Sequence, residues 1–367
     1  MIKFEDCYNH RGKVGNLLME RPDLSQVDPK VRAYIDYLEE QIYSNKPLKH
    51  VHTSSLEIDR EEPITWSEPP TPINIITVTK NALGKRTGRH LYSRQRRGGM
   101  GVFDIEVPEP DYPSILLSAE VNQSLLLFTD KARVFRQSLA KLPDSPVRAK
   151  GENLIDRLAL EADEKLVAIL PDRAQGYVAL ISCTGRVRCL RHHLFGEHMK
   201  PGTAMYHTDE FGPLASVCWT PGDAELFIAT RRGMAIRFSE KLTPPQGDYG
   251  IRLAENDQVV AITSVYPDSG VFLLGADGKG TVRSMSGFAP NKSLGGSGKI
   301  AIKNDQVVTA FSIEPNDDIF IISRLGKIIR FQADEVPPTD GVVQGVNCIN
   351  LRADEVMAAA CSSLNPI

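Results

Sequence analysis

The sequence predicts an all-β protein, a six-bladed propeller behind a short and partly helical N-terminal extension. Three observations predict it. Short apolar runs alternate with turn signals from residue 73 onward, one hairpin pattern recurs six times there, and a glycine marker recurs six times between the hairpins.

The extension covers residues 1 to 70. Asp28 to Ser44 reads as one amphipathic helix, with Asp28 as N-cap, Pro29 in the first turn, and Val31, Tyr34, Ile35, Leu38 and Ile42 at helical spacing. The polar stretch after it ends in Pro63, Pro69, Pro70 and Pro72, which predicts an extended linker or strap.

Residues 71 to 367 carry the repeat. The hairpins are IITVTKNALGKR, LLLFTDKARVFR, YVALISCTGRVR, LFIATRRGMAIR, VFLLGADGKGTVR and IFIISRLGKIIR, with turns placed at Gly84, Ala132, Gly185, Gly233, Gly278 and Gly326. The second marker, a glycine opening a short apolar strand, falls at Gly101, Gly151, Gly202, Gly250, Gly298 and Gly345. Each unit is long enough for about four strands, the size of a propeller blade. A lone blade cannot cover both of its faces, whereas six around an axis bury them against one another and leave few open edges. An open β-solenoid is the competing architecture, but its repeat is much shorter than this one.

Composition excludes several classes. The chain has 43 basic and 46 acidic residues, of which residues 1 to 70 hold 9 and 13, so the repeat region is close to neutral and nucleic-acid binding there requires clustered charge. Six irregularly spaced cysteines do not form a disulfide framework, which points to a reducing compartment. No N-terminal apolar run and no stretch of about 18 apolar residues occurs, and the expectation is a soluble, cytoplasmic and nucleoid-associated protein.

Basic residues recur inside the hairpins. Arg136, Arg237 and Arg330 stand four positions after the turn, with Arg188 and Arg283 slightly shifted; Arg133, Arg186, Arg191, Lys279 and Lys327 lie nearby. Matching positions of rotated blades form a ring, so the set predicts a curved cationic track suited to the repeating phosphates of duplex DNA. The competing reading is that these are solvated strand ends that blunt sheet edges. The densest cluster is RHLYSRQRRGGMGV, where Arg89, His90, Arg94, Arg96 and Arg97 lead into Gly98, Gly99 and Gly101. Glycines with free amides and forked guanidinium groups suit an anion.

Gln95, Arg96, Arg97, Gly98, Gly99, Met100 and Gly101 resemble the Q-R-R-G-G-K-G box of the DNA gyrase A C-terminal domain. LLLFTDKARVFR, RAKGENLIDRLALEADEKLVAIL, YGIRLAENDQVVAI, GADGKGTVRSMSGF and VVQGVNCINLRADEVMAA look like further blades of that family, over about residues 73 to 362. The resemblance implies a β-pinwheel, in which neighbouring blades exchange strands, and a rim that binds, bends or wraps DNA without reading its sequence. It also implies gyrase or topoisomerase subunits as partners, with the Gln95 to Gly101 loop closing the DNA path between first and last blades. Met100 stands where the box has lysine, which predicts that DNA affinity survives better than full wrapping.

No cleavage machinery is expected. In the family the cutting tyrosine follows an arginine, and none of the ten tyrosines here does; residues 1 to 70 are too few for a breakage or ATPase domain, so cutting is expected in trans. GADGKG and SLGGSGKI lack P-loop spacing, and Cys183, Cys189, His192 and His193 lack zinc-site spacing, so neither a cofactor nor a metal is expected. A protein-interaction propeller that docks on gyrase or topoisomerase IV through the acidic extension is the alternative.

Overall fold

The computed structural model describes residues 68–154, 158–161, 163–173 and 175–363, together with Arg32 and Ile35. The chain divides into two compact units, Met1–Glu61 and Glu62–Ile367. In the first, Arg32 and Ile35 are helical; the rest of the expected Asp28 to Ser44 helix, and the linker as far as residue 67, lies outside the described residues. Glu68, assigned to the linker from sequence, is buried among the side chains of the second unit.

The second unit is all-β and six-bladed. Blade 1 shows the plan. Its hairpin, Ile73–Thr79 and Leu83–Gly88, lies between an inner strand, Pro113–Glu120, and a two-residue edge strand, Glu152–Asn153. The hairpins of blades 2 to 6 are Ser124–Thr129/Arg133–Ser138, Tyr177–Ser182/Arg186–Arg191, Glu225–Thr230/Met234–Ser239, Gly270–Gly275/Lys279–Ser284 and Asp318–Ser323/Lys327–Gln332. Their inner strands are Leu166–Pro171, Leu214–Thr220, Val259–Val265, Val307–Ile313 and Val356–Ser362.

Each edge strand is lent by the segment that follows the next blade's hairpin. Thr203–Ala204 completes blade 2, Asp248–Tyr249 blade 3, Lys299–Ile300 blade 4, Val346–Asn347 with Pro338–Thr339 blade 5, and Val102–Phe103, from just after the first hairpin, completes blade 6. This exchange is the pinwheel expected from the resemblance. The inner strands neighbour one another around the axis, and Pro113–Glu120 of blade 1 meets Val356–Ser362 of blade 6, where Ser118 and Ser362 hydroxyls lie 2.9 Å apart. The ring is closed.

The repeat stands, with two markers corrected. The left-handed turn residue of blade 1 is Ala82 (φ 60°), equivalent to Ala132 (φ 55°), Gly185, Gly233, Gly278 and Gly326; Gly84 lies two residues further on, inside the strand. The glycine before the edge strand of blade 3 is Gly247, not Gly250. At Gly101, φ is +67° and an added Cβ would stand 2.6 Å from Ile328 O; Gly247, Gly298 and Gly345 meet the facing strand in the same way. Backbone contact this close excludes a side chain, which is why this glycine recurs where the turn glycine does not.

Apolar clusters fill the spaces between blades. One combines Phe272 and Leu274 of blade 5 with Ile319, Ile321, Ile329 and Phe331 of blade 6. A sheet packed on both faces needs near-continuous apolar strands, and INIITVT and DIFIIS, buried at every position, meet that demand. Among the described residues no helix is long and apolar enough to cross a membrane.

Candidate nucleic-acid interface

Arg86, Arg136, Arg237 and Arg330 occupy one register position, each opposite the same step of its hairpin partner strand. They do not face outward. Each reaches the short turn that follows the next blade's hairpin: Arg86 Nε donates to Leu142 O (2.8 Å), Arg136 Nη1 to Phe195 O (3.2 Å), Arg237 Nη1 to Met285 O and Phe288 O (2.6 and 3.0 Å), and Arg330 Nη1 to Tyr92 O (2.9 Å). Carbonyls at the end of a helical turn lack internal partners, and a guanidinium fork supplies several donors at once.

Carboxylates balance the charge. Asp172 pairs with Arg136, Glu225 with Arg237, and Asp318 and Glu68 with Arg330. In blades 3 and 5, Cys189 and Val282 hold the equivalent position and the neighbouring arginine takes over. Arg188 donates to Met205 O (2.7 Å) and Pro245 O (3.1 Å), and buried Arg283 to Gly287 O (3.5 Å), its pKa lowered by burial. The expected outward track of Arg136, Arg188, Arg237, Arg283 and Arg330 is therefore corrected: these residues clasp their own and neighbouring loops. Arg237 and Arg330 are each 2% exposed.

A second recurrent position does lie at the perimeter. One residue after the turn stand Leu83, Arg133, Arg186, Met234, Lys279 and Lys327, each opposite an edge-strand residue. Arg133 is held by Glu164 (2.6 Å), Glu161 (3.4 Å) and Gly202 O (3.0 Å). Arg186 lies over Tyr249 (4.4 Å), with Glu210 at 3.9 Å; Lys279 is 3.8 Å from Asp277; Lys327 stands over Phe103 (5.4 Å).

The Gln95–Gly101 loop is built into the joint between blades 6 and 1. Gln95 N donates to Arg330 O (2.7 Å), Gly98 N to Cys348 O (2.8 Å), Gly99 N to Arg96 O (3.1 Å), and Gly101 N to the Gln95 side chain (3.2 Å). The expected free amides are thus already donated to the protein. Arg97 is engaged too, through its amide to the Glu335 carboxylate (2.8 Å) and through its guanidinium to Glu335 O (2.8 Å) and Asn347 O (3.3 Å). Arg94 binds Asp318 and Gln332. Arg96, Arg97 and Met100 are the exposed members of the loop.

Sequence reasoning missed two groups. Glu68, Asp318 and Arg89 form a buried ionic network with Arg330, and Lys85 forms another with Asp104, whose carboxylate also accepts from Tyr92 (2.6 Å) and Thr77 (2.7 Å). Burial lowers the pKa of Lys85 and of Arg89. Periodicity marks only Asp318, which stands at the register position that Glu225 holds in blade 4; Glu68, Arg89, Lys85 and Asp104 serve the closure joint and occur once. The second group is the exposed cations of blade 4: Arg231, Arg232, Lys299 and Lys303. Lys299 directly follows the Gly298 marker and was within reach of the same pattern.

A family model described as "DNA gyrase C-terminal domain, beta-propeller" matches residues 74–112, 123–171, 224–265 and 317–361, in each case a stretch carrying all or most of a blade's hairpin. Four of the six blades thus carry stretches similar to that family. DNA gyrase A of Escherichia coli K12 is 27% identical over 269 residues, covering 71% of this chain and 30% of the relative; that of Mycoplasma pneumoniae is 26% identical over 335 residues, covering 89% and 39%. The chain thus spans about a third of the length of these relatives. The solved structure of a DNA gyrase A C-terminal domain superposes with a TM-score of 0.69 at 19% identity, covering 79% of this chain and 99% of that one. The C-terminal domain of DNA topoisomerase IV follows at 0.56, also at 19% identity, covering 79% and 93%. At these identities the likeness to the solved structures is one of fold.

Proposed function

We propose that this propeller holds duplex DNA against its outer circumference and bends it without reading sequence, performs no strand cutting itself, and serves gyrase or topoisomerase subunits. One observation carries the reading: the same perimeter position holds a cation in four of six blades, Arg133, Arg186, Lys279 and Lys327. Phosphates repeat along a duplex, and cations repeated by rotation can follow them around a curve. The likeness to that family supports the same choice of partner. Base edges are not engaged by such contacts, so sequence enters only through the cost of bending.

The test joins affinity and topology. Binding to a duplex should weaken with salt at a logarithmic slope of about −3 to −4 if four phosphates are neutralised. Ligation of a nicked circle with the protein bound should then change the linking number with one consistent sign. Salt-dependent binding without a linking change reduces the function to attachment. Affinity indistinguishable from background removes the DNA reading and favours the interaction propeller, for which the already bonded amides of the Gln95–Gly101 loop argue.

A further inference from the structure

We propose that the duplex is taken by blades 4 to 6 alone, so that DNA follows half of the ring and leaves it at the joint between blades 6 and 1. The inference rests on the DNA-holding reading above and narrows it: of the four recurrent cations it keeps Lys279 and Lys327, adds Lys299, and leaves Arg133 and Arg186 off the path, which lowers the expected salt slope to about −3. The edge strands of the two halves differ in charge. Among blades 1 to 3, Glu152 and Asp248 stand in the edge strands of blades 1 and 3, and at blade 2, whose edge strand Thr203–Ala204 is uncharged, Glu161 and Glu164 hold the perimeter arginine. The edge strands of blades 4 to 6 are Lys299–Ile300, Val346–Asn347 with Pro338–Thr339, and Val102–Phe103, with no carboxylate.

The cations differ in commitment as well. Arg133 makes its bonds to two glutamates and two carbonyls. Among the described residues, Lys299 meets the carbonyl of Ala289 (3.3 Å) and the ring of Phe288 (5.7 Å), and Lys327 the ring of Phe103, contacts that leave their charge unneutralised. A phosphate approaching blades 1 to 3 meets carboxylates at the edge, where juxtaposed like charges cost several kcal/mol. Approaching blades 4 to 6 it meets Lys299 and Lys327 without a carboxylate partner among the described residues, and at blade 5 Lys279 beside Asp277 (3.8 Å). The edge of blade 6 is itself apolar apart from Lys327, with Met100 46%, Val102 44% and Phe103 52% exposed, and the acidic edge of blade 1 follows.

Lysine acetylation by an N-hydroxysuccinimide ester, with and without a duplex of about four helical turns, tests the path on the whole chain. Lys279, Lys299 and Lys327 should lose reactivity severalfold when duplex is added, while Lys150 and Lys200, at the edges of blades 1 and 2, should not change. A triple variant, K279Q/K299Q/K327Q, should reduce the salt slope by about two to three, and K150Q/K200Q should leave it unaltered, with melting curves confirming that both remain folded. Equal protection or equal loss in the two halves overturns the half-ring path and leaves DNA holding intact. Wild-type protein that shows no salt-dependent binding at all overturns the reading beneath it.

Discussion

The joint between blades 3 and 4 and the joint between blades 6 and 1 do the same work with different chemistry. At the first, Ala179, Ile181 and Val187 of blade 3 pack against Leu226, Ile228, Ile236 and Phe238 of blade 4, and Arg188 adds a bond to Pro245 O, 57 residues away. At the second, a smaller apolar set including Ile75, Leu116, Phe320 and Ile328 is joined by buried ionic contacts that tie Arg89 to Asp318 and Glu68 to Arg330, 229 and 262 residues apart. The greater chain separation does not explain the ions, since closing the longer loop costs only about 1 kcal/mol more. Register does. Apolar faces tolerate sliding, whereas a buried charge tolerates only its own partner, and the closure joint is the one place where a blade from a second copy could substitute for the right one.

The largest expected effect breaks the second joint. Asp318→Ala leaves Arg89 and Arg330 sharing Glu68, and should destabilise the propeller by about 3–5 kcal/mol. Glu225→Ala, which removes the partner of Arg237 but lies partly in solvent, should cost no more than about 1–2 kcal/mol by the same reasoning. Urea unfolding of both variants checks the contrast, and comparable losses would mean that the closure joint has no special ionic dependence.

A thiol in the neighbouring core, between blades 5 and 6, reports how far the same event spreads. Cys348 is fully buried, its carbonyl accepts the amide of Gly98, and burial pushes its pKa up to about 12. Native labelling should therefore be slow in the wild type and roughly tenfold faster or more in Asp318→Ala, while Cys218 at the apolar core of blades 3 and 4 keeps its protection. Simultaneous exposure of both thiols would show that the ring opens everywhere at once.

Gly101→Ala ranks next. It places a Cβ against Ile328 O at a positive φ, a strain worth about 1–3 kcal/mol. Gly298→Ala meets Ala235 O at 2.7 Å and φ +77° in blade 4, so the two should cost the same. A larger loss at Gly101 would measure how far the closure joint amplifies a local strain.

The fold was legible because the repeat repeats its physics: six left-handed turns, edge-strand glycines and apolar strands buried on both faces. Phase was less legible. Glycine is the usual occupant of a positive φ, so the sequence favours Gly84 over Ala82; Gly247 and Gly250 both lie within three residues of the edge strand, and spacing alone does not separate them. The basic residues show a deeper limit. Arg133 and Arg136 stand three apart on a strand of period two, so they point to opposite faces. Spacing alone merges them into one belt, yet only the first position reaches the perimeter. Glu68 was illegible for another reason: it answers a demand that arises once, where the last blade meets the first, and nothing in a repeat predicts what is not repeated, whereas Asp318 stands at the register position of Glu225 and was within reach of the pattern.

The smallest effect separates two neighbours that the sequence presents as equivalent. Arg97 donates two guanidinium bonds to carbonyls of the closure joint, so Arg97→Ala should lower stability by about 1 kcal/mol. Its effect on DNA should follow only from that loosening. Arg96 is exposed one residue earlier, and Arg96→Ala should reduce the salt slope of duplex binding by about one. Melting curves and salt titrations on both variants decide the matter. Loss of slope with Arg97 rather than Arg96 would return the phosphate contact to the joint itself, and would mean that DNA replaces Glu335 as the partner of Arg97 instead of binding beside it.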